Sequence, residues 1–238
     1  MTDRPARSRF FLLASYALFA IMSIGFAPTF YLREAFDMPS FPPYVFAHGV
    51  LLTLWFGWFC LQTTLVASAR VNWHRRLGVA GAVLAVPVAL SGLLVAFGYG
   101  PRELSVHGIE MTDTTRVSMV AWGNVGMLVA FAAFFCTAVA QRARAERHRH
   151  LMYLAAVSLI PPALARIARN PIRELPEPIV MGGGLALLLG ALALFDLGRH
   201  GRLQRVTVVG GGALGAILAV SVAIGLTGTG RRIAFLFA

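Results

Sequence analysis

The chain has 238 residues, of which 58% are apolar and 13% are charged, and its mean hydropathy is +0.72. This composition is too apolar for a water-soluble domain of this size and is typical of an integral membrane protein. The formal net charge of +11 does not indicate nucleic-acid binding, because the longest gap between apolar stretches, residues 100–116, is too short to form a basic soluble surface.

Seven apolar stretches are long enough to cross a bilayer. They span residues 10–32, 44–69, 77–99, 117–140, 151–168, 179–197 and 206–227. The sequence therefore predicts an all-α fold, a polytopic seven-helix transmembrane bundle that forms one integral membrane domain over residues 1–238. The first stretch is too long for the core of a signal peptide, so we expect it to be a retained helix.

Arginine is distributed unequally between the two sides of this bundle. If the N-terminus is cytoplasmic, the cytoplasmic segments carry 13 arginines and three acidic residues, against eight arginines and seven acidic residues outside. Cytoplasmic loops are enriched in Lys and Arg, so the asymmetry predicts a cytoplasmic N-terminus and an extracytoplasmic C-terminus. All 21 basic residues are arginine. This usage is typical of a GC-rich bacterial genome and indicates the bacterial inner (cytoplasmic) membrane.

The second helix carries His48, Trp55 and Gln62 at seven-residue intervals, which places them near one face. Because polar side chains are costly in hydrocarbon, this face should turn toward the bundle interior. Asn124 on the fourth helix and Arg166 on the fifth are expected at a depth similar to that of His48. Together these residues predict an outward-facing pocket for a quinone-like or small anionic ligand. In the alternative, Arg166 reaches the outer headgroups and His48 makes one interhelical hydrogen bond.

Two connections share the pattern R-x3-H-R-x-L, at residues 70–77 and 144–151. The offset of 74 residues also relates Pro87 to Pro161. A parallel repeat of helical hairpins would explain it and would place a shared site at the repeat interface. In the alternative, the two connections acquired the pattern independently, since cytoplasmic loops are enriched in arginine in any case.

The same pattern supplies a candidate cofactor site at His74 and His148, with Arg75 and Arg149 beside them. Two histidines on different helices can be the axial pair of a b-type haem, and the arginines would bind its propionates. In the alternative, the arginines and the free N–H groups of the helix starts bind anionic lipid headgroups at the cytoplasmic face.

Small residues recur at four-residue spacing on the last two helices, which predicts close approach of their backbones. They are Gly182, Ala186 and Gly190 on the sixth helix and Gly211, Gly215 and Ala219 on the seventh.

The motifs of several enzyme classes are missing from the sequence. It contains no H-E-x-x-H zinc motif, no G-x-S-x-G nucleophile motif and no phosphate-binding loop ending in Gly-Lys-Ser/Thr. The sequence thus predicts no catalytic residue, and whether the protein is an enzyme stays open.

Several of these residues together resemble a family of bacterial seven-helix membrane proteins for which we know of no established activity. The residues that carry the resemblance are His48-Gly49, Thr53, Trp55, Gln62, Leu65-Val66, Arg70, His74-Arg75-Arg76-Leu77-Gly78 and His148-Arg149-His150-Leu151-Met152. The family's second motif usually reads H-K-R-L-M, so His150 stands here in place of an arginine. The resemblance covers all seven helices and implies the fold and a bacterial membrane location, but no reaction.

Three classes of function follow from these observations. The first is a non-catalytic structural, assembly or lipid-binding membrane protein. The second is a redox protein that holds haem b between His74 and His148 and exchanges electrons with a quinone near His48 and Arg166. The third is a small-molecule transporter or receptor that uses the outward-facing pocket alone.

Overall fold

The computed structural model describes residues 4–38, 40–111, 113–170 and 173–236. Residues 237 and 238, the predicted extracytoplasmic end, lie outside this part. The α-helices of the described residues are α1 (Arg4–Phe26), α2 (Pro43–Ala67), α3 (Val71–Phe97), α4 (Tyr99–Met111), α5 (Thr114–Ala140), α6 (Ala145–Ser158), α7 (Pro161–Ala168), α8 (Glu177–His200), α9 (Arg205–Leu226) and α10 (Gly228–Ala234). Short π- and 3-10-helical segments follow α1, at Ala27–Tyr31 and Arg33–Phe36. A strand pair of two residues each, β1 (Arg169–Asn170) and β2 (Arg173–Glu174), connects α7 to α8.

Six helical segments are long and apolar enough to cross a membrane, and α6 with α7 makes a seventh if that bent pair is one span. The described part of the chain is therefore helical apart from β1 and β2 and has the architecture of a multi-pass membrane protein. This confirms the predicted fold class at the level of helices and spans.

The bend between α6 and α7 interrupts what the sequence predicts as one helix over 151–168. The two segments meet at 41°. Pro161 and Pro162 open α7, and a proline both lacks an N–H donor and clashes with the carbonyl of the preceding turn. The sequence predicts one helix over 151–168 with a bend at the proline pair; the bend is present, and it divides the stretch into the two segments α6 and α7.

Helix also extends beyond the apolar stretches. The helices α3 and α6 begin at Val71 and Ala145, six residues before the predicted starts at 77 and 151. The segments Tyr99–Met111 and Gly228–Ala234, predicted as loop and tail, form α4 and α10. Hydropathy does not detect such segments, because arginine and glutamate favour helix without being apolar.

The bent pair α6–α7 is the centre of the bundle. Leu154, Val157 and Ile160 are completely buried, and the buried Tyr153 donates a hydrogen bond to the carbonyl of Leu188 on α8 at 2.8 Å. The outer helices expose apolar side chains instead, as at Leu187, which is 73% exposed. An apolar exterior around a buried central helix is the arrangement expected in lipid.

Successive spans run antiparallel, so their connections form two ends. The connections α2–α3, α5–α6 and α8–α9 lie at one end, which we call the basic end because each carries exposed arginine: Arg70, Arg142, Arg144 and Arg202. The connections α1–α2, α3–α5 and α7–α8 and helix α10 form the opposite end.

Close helix packing occurs at other glycines than the predicted ones. A Cβ atom added at Gly225 of α9 would lie 2.7 Å from the Met119 Cα on α5, so only glycine fits there. At Gly182, Gly190 and Gly215 such an atom would meet no other atom within 4 Å. The prediction of close packing through the spaced small residues of α8 and α9 is therefore wrong, because α9 packs chiefly on α5 through a different face.

Candidate functional site

His74 and His148 occupy the same position in their helices. Each is the fourth helical residue, and its N–H bonds the carbonyl of the arginine that precedes the helix, Arg70 at 3.1 Å and Arg144 at 3.0 Å. The two imidazole rings lie 6.3 Å apart between centroids, at an interplanar angle of 72°. The repeated pattern R-x3-H-R-x-L thus brings two equivalent histidines together at the basic end.

The hydrogen bonds of this histidine pair leave ring nitrogens available. His148 Nδ1 is 2.9 Å from the carbonyl oxygen of Ala138, which can only accept, so Nδ1 carries the proton of this bond and Nε2 is not used in it. The His74 ring lies against the backbone of Gln62, and its Nδ1 is buried without a hydrogen-bond partner among the described residues. Both side-chain amide atoms of Gln62 are buried and unpartnered in the same part of the chain.

The two arginines predicted beside these histidines differ in their surroundings. Arg75 is exposed in the first turns of α3. The Arg149 guanidinium lies 5.3 Å from the ring centre of Phe11 on α1 and forms an ion pair with Glu146. Arg149 therefore joins α6 to α1, a role that the sequence does not reveal.

A second polar cluster at the basic end joins α6, α8 and the start of α9. His150 Nε2 lies 2.8 Å from Asp196 Oδ1, and His150 Nδ1 donates to the carbonyl of Glu146 at 2.7 Å. The other oxygen of Asp196 accepts from the backbone N–H of Gln204 at 3.0 Å and from the Thr207 hydroxyl at 2.5 Å. His150 and Asp196 are 1% and 0% exposed, so this cluster is fully internal.

Sequence reasoning missed this cluster. The sequence analysis names His150 only within the family motif and does not bring it together with Asp196. The available signal was the single acidic residue in the apolar run of α8, because a carboxylate in such a position is rarely left without partners.

A surface groove of about 440 Å³ lies beside this cluster, at the α8–α9 connection. Its lining residues are Arg202, Leu203, Gln204, Arg205, Val208 and Val209. Both arginines are exposed, and Val208 and Val209 are 55% and 59% exposed. The groove thus joins positive charge at the basic end to an apolar wall along α9.

At the opposite end, His48 is bonded to α3. His48 Nδ1 is hydrogen-bonded to the Ser91 hydroxyl at 2.9 Å, and the same hydroxyl oxygen lies 3.2 Å from the carbonyl oxygen of Val88. Leu128 of α5 lies against Gly92 beside the same imidazole. His48 therefore makes the interhelical hydrogen bond of the simpler sequence interpretation.

Arg166 ends the central helix with its guanidinium 4.3 Å from the ring centre of Phe26. Its Nη1 donates to the carbonyl of Pro162 at 3.4 Å. The positive charges of Arg102 and Arg169 are close enough to repel it. In the described part of the chain no carboxylate lies within ion-pair distance of Arg166.

The remaining residues of the predicted pocket have different surroundings. Trp55 is 3% exposed and packs among Phe56, Phe59 and Phe131. Gln62 lies about 21 Å along α2 from His48, at 1.5 Å per residue, and belongs with His74 instead. Asn124 is half-buried on α5, one turn before the Leu128 that contacts the His48 region.

No group of three or more His, Cys, Asp or Glu side chains is arranged to hold a metal ion within the residues described above. Comparison of the chain with protein-family models, with curated proteins and with solved structures gave no match.

Proposed function

We propose that this chain is a multi-pass protein of a bacterial cytoplasmic membrane that binds anionic phospholipid headgroups at its basic end. We propose further that its role is structural or in assembly, and non-catalytic. The single observation that supports the proposal best is the groove at the α8–α9 connection, where Arg202 and Arg205 stand above an exposed apolar wall.

The two parts of this groove match the two parts of a phospholipid. A phosphate carries negative charge and acceptor oxygens, which arginine binds through several N–H donors. The first turn of α9 begins at Arg205 and adds backbone N–H groups and the positive end of the helix dipole. Val208 and Val209 continue from this turn into the membrane-spanning part of α9, where an acyl chain would lie.

The cluster around Asp196 keeps the groove in shape. Its carboxylate binds the backbone N–H of Gln204 and the hydroxyl of Thr207, on either side of Arg205. Because His150 holds the other carboxylate oxygen, the connection between α8 and α9 is fixed to the central helix. The buried polar groups of the basic end thus support a binding surface.

The lipid interaction also agrees with the proposed orientation. A basic end that faces the cytoplasm meets the leaflet side where arginine-rich segments are attracted to anionic lipid. The proposed orientation has the N-terminus in the cytoplasm and the C-terminus outside, as the arginine distribution predicts.

Native mass spectrometry of the detergent-purified protein tests the proposal. After exposure to equal amounts of phosphatidylglycerol and phosphatidylcholine with matched acyl chains, we expect phosphatidylglycerol to remain bound through gentle activation while phosphatidylcholine is lost. Equal retention of the two lipids would contradict the proposal, since acyl contacts alone do not distinguish them.

A second candidate function is the binding of a small anion or a quinone at the opposite end, as in a transporter or receptor. The surroundings of Arg166 favour it, because this half-buried cation is bonded only through Phe26 and a carbonyl in the described part of the chain. Inorganic phosphate and a short-chain ubiquinone are the probes. If either ligand raises the unfolding temperature of the native protein but not that of Arg166→Gln, the result supports this function. If neither ligand stabilises the native protein, the function is excluded for these ligands.

A further inference from the structure

We propose that His74 and His148 bind one metal ion at the basic end as trans ligands, either the iron of a b-type haem or a two-coordinate copper(I) ion. This site is separate from the lipid groove at Arg202 and Arg205, and it does not depend on lipid binding. Both sources share one chemistry, a metal ion held on opposite sides by two neutral imidazoles.

The separation of the two rings fits a metal ion held between them. A metal–imidazole bond is about 2 Å long and a ring nitrogen lies about 1 Å from the ring centre, so two trans imidazoles have centroids about 6 Å apart. The rings of His74 and His148 are 6.3 Å apart. A tetrahedral ion would bring them to about 5 Å and would need further protein ligands. Among the described residues no third His, Cys, Asp or Glu completes such a set.

The surroundings of the two rings also fit metal ligands. Metal-ligating histidines usually donate their other ring N–H to a carbonyl or carboxylate, which fixes the tautomer and the ring orientation. His148 donates Nδ1–H to the carbonyl of Ala138 at 2.9 Å, and the His74 ring lies against the Gln62 backbone. His148 is thus anchored through the main chain of the preceding helix and keeps Nε2 for a ligand, and His74 keeps its Nδ1, which is unpartnered among the described residues.

Among the described residues, polar atoms of His74 and Gln62 are left without hydrogen-bond partners. His74 Nδ1 and both amide atoms of Gln62 are buried and bond nothing in the described part of the chain. Buried polar atoms are nearly always hydrogen-bonded, so these unpartnered atoms indicate a missing partner. A metal ion accepts the lone pair of the histidine nitrogen, and a water or a haem propionate supplies partners for the amide.

The repeated sequence pattern explains why two ligands would meet here. Residues 70–77 and 144–151 place a histidine at the fourth position of α3 and of α6. When two equivalent hairpins face each other across an axis along the membrane normal, equivalent side chains approach at that axis. Such a pair of hairpins would supply two identical ligands on opposite sides of one ion.

The test uses the full-length protein, purified in detergent from cells supplied with δ-aminolevulinate and copper, and then titrated with haemin and with copper(I). Metal is counted by mass spectrometry of the elements, and a reduced-minus-oxidised absorbance spectrum detects b-type haem. His74→Ala and His148→Ala are the test variants. His107→Ala, on α4 at the opposite end, is the control.

We expect the native protein and His107→Ala to hold either one iron per chain with b-type bands or one copper without them. Both test variants should lose this metal. The first result identifies haem, and the second identifies the bare ion. Native protein that holds neither metal after both titrations would overturn the proposal, and so would metal retained in both test variants. If the alanine variants fail to fold, His74→Gln and His148→Gln replace them, and the stoichiometry of the native protein stays decisive.

Discussion

The carboxylate of Asp196 lies 2.8 Å from Nε2 of His150, and both side chains are buried between α6, α8 and α9. The opposite nitrogen of His150 faces the carbonyl of Glu146 and therefore carries a proton. One further proton must lie between His150 and Asp196, whether the pair is an imidazolium with a carboxylate or a neutral imidazole with a carboxylic acid. The pair is thus a buried joint that holds the basic end together.

The first prediction concerns this joint. Asp196→Ala removes the acceptor for His150, Gln204 and Thr207 together, and breaking a buried pair by removing one partner costs about 3–5 kcal/mol. Asp196→Asn should be much milder. An amide can accept from Gln204 and Thr207 through its oxygen and donate to a neutral His150 through its nitrogen. Thermal unfolding of both variants in the same detergent measures the difference.

Equal destabilisation by Asp196→Asn and Asp196→Ala would show that the charge, and not the set of hydrogen bonds, stabilises the joint. A stable Asp196→Ala variant would contradict the structural role of Asp196 altogether.

The second prediction concerns the contact between α5 and α9. In Gly225→Ala the added methyl group would lie 2.7 Å from the Met119 Cα and 2.9 Å from its nitrogen, and backbone atoms cannot move aside cheaply. Overpacking of this kind costs about 1–3 kcal/mol. The matched control is Gly215→Ala in the same helix, which meets no other atom within 4 Å. Heat treatment followed by size-exclusion chromatography should show early loss of Gly225→Ala alone, and similar behaviour of both variants would contradict the packing.

The third prediction concerns orientation. Single cysteines at Arg142 of the basic end and Ser105 of the opposite end, both exposed, are placed in a chain whose Cys60 and Cys136 are replaced by alanine. In intact spheroplasts a membrane-impermeant maleimide should label Ser105→Cys at once and Arg142→Cys only after permeabilisation. The reversed pattern would contradict a cytoplasmic basic end and with it the proposed leaflet of the lipid.

Hydropathy predicts the helical fold well, because apolar stretches of spanning length have few alternatives in lipid. Hydropathy fails where a segment is helical but polar, and where an apolar segment is broken. Helix α4 is polar, the first turns of α3 and α6 are arginine-rich, and Pro161 breaks a stretch that remains apolar throughout. Each of these features depends on backbone chemistry, to which an average of hydropathy is insensitive.

The candidate sites were predictable to a different extent. The repeated pattern brings His74 and His148 into correspondence, since equal spacing from the helix start fixes equal depth. The sequence does not show that Gln62 belongs with His74 and not with His48, because a seven-residue interval fixes the face of a helix but not its neighbours. Nor does it show that Arg149 pairs with Glu146 over Phe11, since this depends on a side-chain rotamer and on the packing of α1.

Lipid binding at the groove of α8 and α9 is tested by two double variants with equal loss of charge. Arg202→Gln with Arg205→Gln removes the groove arginines, and Arg231→Gln with Arg232→Gln removes two exposed arginines of the opposite end. Each arginine near an anionic surface contributes about 1 kcal/mol, so the first variant should bind phosphatidylglycerol about 30-fold more weakly. The second variant should bind phosphatidylglycerol like the native protein. Equal weakening in both variants, or none in the first, would contradict lipid binding at the groove.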